Sequence, residues 1–219
     1  MGYHGISLET IKYALKHGVI PGATIKTDEQ NTHDFPPYGW IYFFPTLEGL
    51  PILSRREYTP STEEEAITDS SGYARDLAEA HYFLSTLNLP FDNPVARSAS
   101  LFLTNDYFPG DEESEEELRE LFKLRPDLKR NHVENILREI KISQPKGFVL
   151  GLSRTCLDSE DVMALDLDSD QYELRMHIPN GLNFKFICSI KPMGSREQEF
   201  LNNLSHSWWS RLTQSLGNR

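Results

Sequence analysis

Apolar residues along "SLETIKYALKHGVIPG" recur at helical spacing: Leu8, Ile11 and Leu15 fall at i, i+3 and i+7, one buried stripe. Ser7 can cap the start through its hydroxyl. Lys16 and His17 suit the negative end of the helix dipole, and Gly18 suits a left-handed C-terminal cap. The pattern therefore predicts a helix between Ser7 and Gly18. In "FPPYGWIYFFP" the strand formers Trp40 to Phe44 stand between Pro-Gly punctuation and Pro45, which predicts a strand. In "SSGYARDLAEAHYFLSTL" helical spacing returns through Ala74, Leu77, Ala78, Ala80 and Leu84, with caps expected at Asp69 to Ser71.

The pattern changes over residues 89–145. A short apolar run, "SASLFLT", precedes the acidic segment "GDEESEEELRELFKL", whose charges favour the start of a helix. "RNHVENILREIK" reads as another helix. The acidic charges themselves read as a solvated face rather than a binding surface. From 146 to 192 the chain turns β-like through "GFVLGLS", "VMALDLD", "ELRMHI" and "FKFICSI", and Asn180-Gly181 suits a tight hairpin. "EQEFLNNLSHSWWSRLTQSL" then predicts a closing helix with Phe200, Leu204, Trp208 and Leu212 on one side. The expected class is α+β in one domain, 1–219, with helices mostly early and late and strands clustered in the second half.

Composition narrows the function. The 219 residues include 24 aromatics, enough to furnish a core, and the net charge is −11. Such a balance leaves no overall electrostatic footprint for nucleic acid. Cys156 and Cys188 imply no disulfide framework and fit a reducing compartment. No leader-like or membrane-length apolar run is present, so a cytoplasmic protein without a membrane partner is expected, with a secreted effector or a phage product as alternatives. The seven histidines show neither H-x-x-x-H nor Cys-His spacing, so no metal site is expected. A phosphate-binding glycine loop and a serine-hydrolase elbow are both missing.

One feature is unexplained by helix stability: Tyr3-His4-Gly5 stands directly before the first helix. A lone histidine beside a glycine is more often structural. The segments that follow it form an ordered set. The opening "YHGIS…ALKHGVIPG" resembles the first motif of the ADP-ribosyltransferase-like superfamily. "YGWIYFFPTLEG" is similar to the strand in which the His-Tyr-Glu branch keeps its tyrosine, here Tyr42. "SSGYARDLAEA" resembles the small-residue helix that follows, with Tyr73 lining the nicotinamide pocket. "DSDQYELRMHIPNGLNFKFICSI" resembles the late Gln/Glu-x-Glu motif, with Gln171 and Glu173. "REQEF" supplies a rival Glu-x-Glu at Glu197 and Glu199. Glu173 is preferred because a strand, a hairpin and another strand follow it.

The resemblance implies a split β-sheet core with flanking helices, in which residues 89–145 are an acidic helical insertion. It implies an NAD⁺-dependent mono-ADP-ribosyltransferase with NAD⁺ as substrate and a protein or nucleic-acid acceptor. Glu173 would stabilise the ribosyl cation, His4 would hold a ribose, and the Gly5 backbone would hold the carboxamide. Tyr42 and Tyr73 would stack on nicotinamide, and Gln171 would face the acceptor. The departures matter as well. "RSASLFLT" would supply a serine on a strand if the Arg-Ser-Glu branch applied, demoting Tyr42. The RNA 2′-phosphotransferase relatives share the fold and NAD⁺ but resemble an Arg-His-His-Arg site on a basic protein. A third alternative is a scaffold without activity, binding partners through the acidic segment and Trp208-Trp209.

Overall fold

Ser7 and Gly18 bracket the first helix as the pattern requires. In the computed structural model, which describes residues 2–22, 40–46, 62–91, 93–153, 156, 164–166, 174–178 and 180–204, α1 runs Leu8–His17. Ser7 Oγ accepts from Thr10 N–H at 3.1 Å, and Gly18 takes φ 79°. Leu8, Ile11 and Leu15 are buried.

The strand before it, β1 (Gly2–Ile6), is buried along its whole length. On one edge it pairs throughout with β4 (Phe148–Leu152), and β4 pairs in turn with β8 (Ile187–Pro192). On the other edge lies β3 (Trp40–Pro45), followed by β6 (Leu174–His177) and β5 (Ala164–Asp166). The order is β5-β6-β3-β1-β4-β8, and every pairing is antiparallel. A separate two-stranded ladder joins β2 (Val19–Ile20) to β7 (Leu182–Asn183). Gly181 does turn the chain, at φ 81° with its N–H donating to the Ile178 carbonyl, but β7 then pairs with β2 and does not return along β6.

Four helices fill the middle of the chain: α2 (Glu63–Thr86), α3 (Pro94–Asp106), α4 (Glu112–Leu124) and α5 (Arg130–Ser143). A short α6 (Ser195–Asn202) follows β8. The protein is therefore a mixed α+β fold. Its distribution differs from expectation, because the helices concentrate in the middle and the earliest strand lies inside the sheet.

Two predicted boundaries are corrected. Asp69 to Ser71 lie inside α2, which begins two turns earlier at a capping box. Thr62 Oγ1 accepts from Glu65 N–H at 3.2 Å, while the Glu65 carboxylate takes Thr62 N–H at 2.7 Å. The run "SASLFLT" is helical rather than extended. Asn93 caps α3 through Ala96 N–H, and Pro94 presets the first turn. That geometry removes the strand on which an Arg-Ser-Glu serine would stand. The closing helix is shorter than expected: it ends at Asn202 with Asn203 as its C-cap, so Leu204 lies beyond it, and Trp208, Trp209 and Leu212 lie outside the described residues.

α2 is the hinge of the architecture in a literal sense, since its two halves serve different cores. At 24 residues it spans about 36 Å. Its first half, with Ala66, Ser70 and Ala74, lies on β1, β3 and β4. Its second half contributes Phe83 and Leu84 to a cluster with Leu103, Leu118, Leu121, Val133 and Ile136 from α3, α4 and α5. The first half, through Ala66, instead joins Tyr3, Phe44 and Val149, while a separate sheet-side cluster without α2 residues gathers Ile6, Ile11, Phe43, Phe148, Leu150 and Leu201. No helix among the described residues is long and apolar enough to cross a membrane.

Candidate functional site

The close approach of α2 to the sheet explains Gly5. A Cβ there would run into the Ser70 carbonyl oxygen and come within 2.7 Å of Ala74 N. Gly147, at φ 71°, faces the same constraint, since a Cβ would meet the Ile6 carbonyl oxygen and lie 2.7 Å from that of Ala74. Two glycines on the strands and a small-residue face on the helix thus let the backbones touch.

Register then decides what the Gly5 backbone does. The ladder between β1 and β3 registers Gly2 with Pro45 and Tyr3 with Phe44, and goes no further. Pro45 has no N–H, so the pair that exchanges both hydrogen bonds is Tyr3–Phe44. Tyr3 therefore points its N–H and C=O towards β3. Successive residues alternate, so Gly5 points its own groups to that same edge, where among the described residues no strand pairs with β1. β3 meanwhile spends Trp40–Phe43 on β6. Beyond Tyr3 no further residue pair joins β1 to β3 among the described residues, with His4 and Gly5 on one strand and Tyr42 on the other.

Tyr73, on the first half of α2, brings its ring to 6.2 Å from that of His4, with planes 42° apart. His4 itself is only 5% exposed. Three of the residues singled out from the sequence, His4, Gly5 and Tyr73, thus occupy one neighbourhood. Tyr42 joins it by backbone register, paired with Arg175, while its side chain is outside what is described. Glu173 and Gln171 also lie outside the described residues. The first described residue of β6 is Leu174, in register with Phe43.

The rival Glu-x-Glu sits on α6, where residues two apart do not share a face. Glu197 is buried, and its Oε1 accepts the N–H groups of Lys146 and Gly147 at 3.2 Å each, pinning α6 to the start of β4. Glu199 is exposed. Glu197 is thereby explained as a structural carboxylate.

Sequence reasoning missed a polar group at the other end of the same helix face. His81 lies eight residues after Tyr73, two turns along one stripe, and is buried. Its Nδ1 meets Ser7 Oγ, so the cap of α1 is also tied to α2. Burial, reinforced by the nearby Arg97 charge, pushes His81 down to about 3 and keeps it neutral. Arg97 comes from α3, is 5% exposed, and holds its guanidinium 4.7 Å from the centre of the Phe91 ring. The i, i+8 spacing of Tyr73 and His81 was visible in the sequence. Arg97 carries no motif, and its place follows from the packing of α3 on α2.

Tyr3 closes the far side, donating its hydroxyl to Glu63 at the start of α2, and burial with that carboxylate raises the phenol above its ordinary range. Among the described residues no group of three His, Cys, Asp or Glu side chains is placed to hold a metal. Cys156 is buried and Cys188 half-buried. A separate groove of about 240 Å³ lies on the helical region, lined by Tyr107, Pro109, Glu134, Leu137, Arg138 and Lys141. No protein-family model, curated protein or solved structure gives a significant match to this chain.

Proposed function

We propose that the protein is an NAD⁺-dependent mono-ADP-ribosyltransferase of the His-Tyr-Glu type, built on a split sheet. One observation carries the reading: beyond Tyr3, where no further pair joins β1 to β3, the His4 and Tyr73 rings lie 6.2 Å apart beside a Gly5 whose backbone groups face that unpaired edge. A flat nicotinamide carboxamide needs that combination, namely aromatic faces for the ring and a strand edge for the amide. Tyr42 is assigned to the opposite wall, Gln171 to the acceptor side, and Glu173 to the catalytic carboxylate on its motif alone.

In the reaction the bond between ribose C1′ and the nicotinamide nitrogen breaks, and its electron pair neutralises the pyridinium. The ribosyl centre passes through an oxocarbenium-like state, as in glycoside cleavage. Glu173 would stabilise that charge and hold a ribose hydroxyl, and His4 would orient the other ribose. A nucleophile on a macromolecular acceptor then bonds to C1′ and gives up its proton. No metal is needed for any of these steps.

The test is nicotinamide release from NAD⁺ by the wild-type protein and by Glu173→Gln. Losing such an electrostatic contact is expected to slow release about 100- to 1000-fold, roughly 2.7–4 kcal/mol. Undiminished release in the variant would move the catalytic acid elsewhere. No release from either protein, with candidate acceptors supplied, would favour a second reading as an interaction module. The groove beside Tyr107 and the neighbouring Phe108, 72% exposed, are the features that favour it.

A further inference from the structure

The two most exposed large apolar side chains among the described residues belong to the helical region: Phe108 at 72% and Ile142 at 84%. Both border the groove of about 240 Å³. Phe108 sits between the lining residues Tyr107 and Pro109, and Ile142 follows the lining Lys141 on α5. The Phe108 ring is not part of that lining and stands in solvent.

A phenyl ring in water is unfavourable, yet the backbone is arranged to keep it there. Phe108 N–H donates to Ser114 Oγ at 3.0 Å, and the Phe108 carbonyl accepts from Asp111 N–H at 3.2 Å. Ser114 is itself buried in the first turns of α4. The ring is thus presented from a fixed turn, and little ordering is lost when something receives it. The size of the groove points to what it receives. Pockets for whole small molecules run to about 300–1,000 Å³, so a groove of about 240 Å³ is better matched to one aromatic side chain.

Charge narrows the source. The lining cations Arg138 and Lys141 are exposed, and neither makes an ion pair among the described residues. Arg138 donates to the Glu134 carbonyl at 3.3 Å and to Asn135 Oδ1 at 2.7 Å. The lining carboxylate of Glu134 already accepts the Tyr107 hydroxyl at 2.9 Å. Shortly after Phe108 the chain carries Glu112, Glu113 and Glu116, all exposed and likewise without an ion pair among the described residues. A partner that brings an aromatic ring closely followed by carboxylates complements this groove, and the chain itself has that sequence.

We propose that the groove receives Phe108 of a second copy of this chain, in a closed two-fold pair. Each ring enters the other copy's groove, and the acidic start of each α4 meets the cations of the other α5. A two-fold interface is self-complementary, the same patch acting as insert and recess, which suits a ring set beside a groove that it does not line. The patch is small, and interfaces below about 1,200 Å² in total hold weak, transient complexes. The net charge of −11 also opposes approach. The pair is therefore a micromolar one that dissociates on dilution. It does not rest on NAD⁺ cleavage.

The experiment is sedimentation velocity of the full chain over a concentration series. It compares wild type, Phe108→Ser, the double variant Arg138→Glu with Lys141→Glu, and an equimolar mixture of the two variants. All three positions are exposed, and circular dichroism checks that the helices remain. Wild type is expected to pass from monomer to dimer, and no further, as concentration rises. Each variant alone is expected to weaken the dimer about tenfold or more, one by losing the ring and the other by setting glutamates against glutamates. The mixture is expected to recover part of the dimer, because the intact Phe108 of one variant meets the intact groove of the other. Wild type that stays monomeric at the highest concentration overturns the proposal and gives the groove to a partner of another kind. A dimer that Phe108→Ser leaves unchanged, species larger than two copies, or a mixture no stronger than either variant overturns it as well. Nicotinamide release is measured separately, so its absence counts against the proposed function and not against the pairing.

Discussion

The sheet half and the helical region α3–α5 reach stability by different means. In the sheet half backbones approach until a single methyl does not fit, as at Gly5 and Gly147 against Ala74. In the helical region, ordinary amphipathic faces close around Leu118, Leu121, Val133 and Ile136, and surface charges finish the job. Gly110, at φ 85° before α4, has nothing within reach of a Cβ and serves only to turn the chain. The first half is specified by close fit at few positions, the second by repeated pattern at many. A substitution should therefore be felt sharply in one and softly in the other.

Gly5→Ala tests the sharp side with the largest expected effect. The new methyl must push α2 off the sheet, and overpacking of this kind costs about 1–3 kcal/mol. Urea unfolding would check it, and a loss below the noise of the measurement would mean that α2 yields easily. The seam between the halves comes next, at His81. The unfolded chain takes up a proton there near pH 6.5 that the folded protein excludes until about pH 3. Stability is thus fully present above pH 6.5 and falls as pH drops through that window, at up to about 1.4 kcal/mol per pH unit from this one group. The difference in pH dependence between wild type and His81→Gln isolates it, and parallel profiles would show that the ring is not excluded from protonation. The smallest effect belongs to the helical surface. Arg130 pairs with Glu115 across α4 and α5, with Nη1 to Oε1 at 2.6 Å. Glu115→Gln should lower the urea midpoint least of the three, and less still in high salt.

The same contrast governs what the sequence disclosed. α1 and α4 follow from local information: a cap, an apolar stripe and a charge bias within a few residues of one another, whereas α5 has the apolar stripe but no side-chain cap at its start. The start of α2 was misjudged although Thr62 and Glu65 spell out a capping box, because Asp69 to Ser71 imitate a cap. α3 lies inside the segment read as a helical addition, but its own bounds stayed open because "SASLFLT" taken alone has no period long enough to tell a buried helix from a buried strand. Pro94 and Asn93 held the answer a few residues upstream. At the site, His4, Gly5 and Tyr73 could be named from their motifs. Their joint placement depends on where the β1–β3 ladder stops, after Tyr3–Phe44, and on the close packing of α2 on β1, and neither is a local property. Arg97 and His81 carry no motif and needed the packing of α2 on α3.

α2 also sets the terms on which the molecule can be cut down. An engineer wanting a minimal version would remove 89–145 and join the chain across the gap. That excision strips the cover from Phe83, Leu84 and Leu87, all essentially buried, and leaves a greasy strip along a helix whose other half carries Tyr73. Those positions would have to be rewritten with polar residues before the shortened protein stayed in solution. The helical region can be trimmed only by redesigning the helix it shares with the sheet.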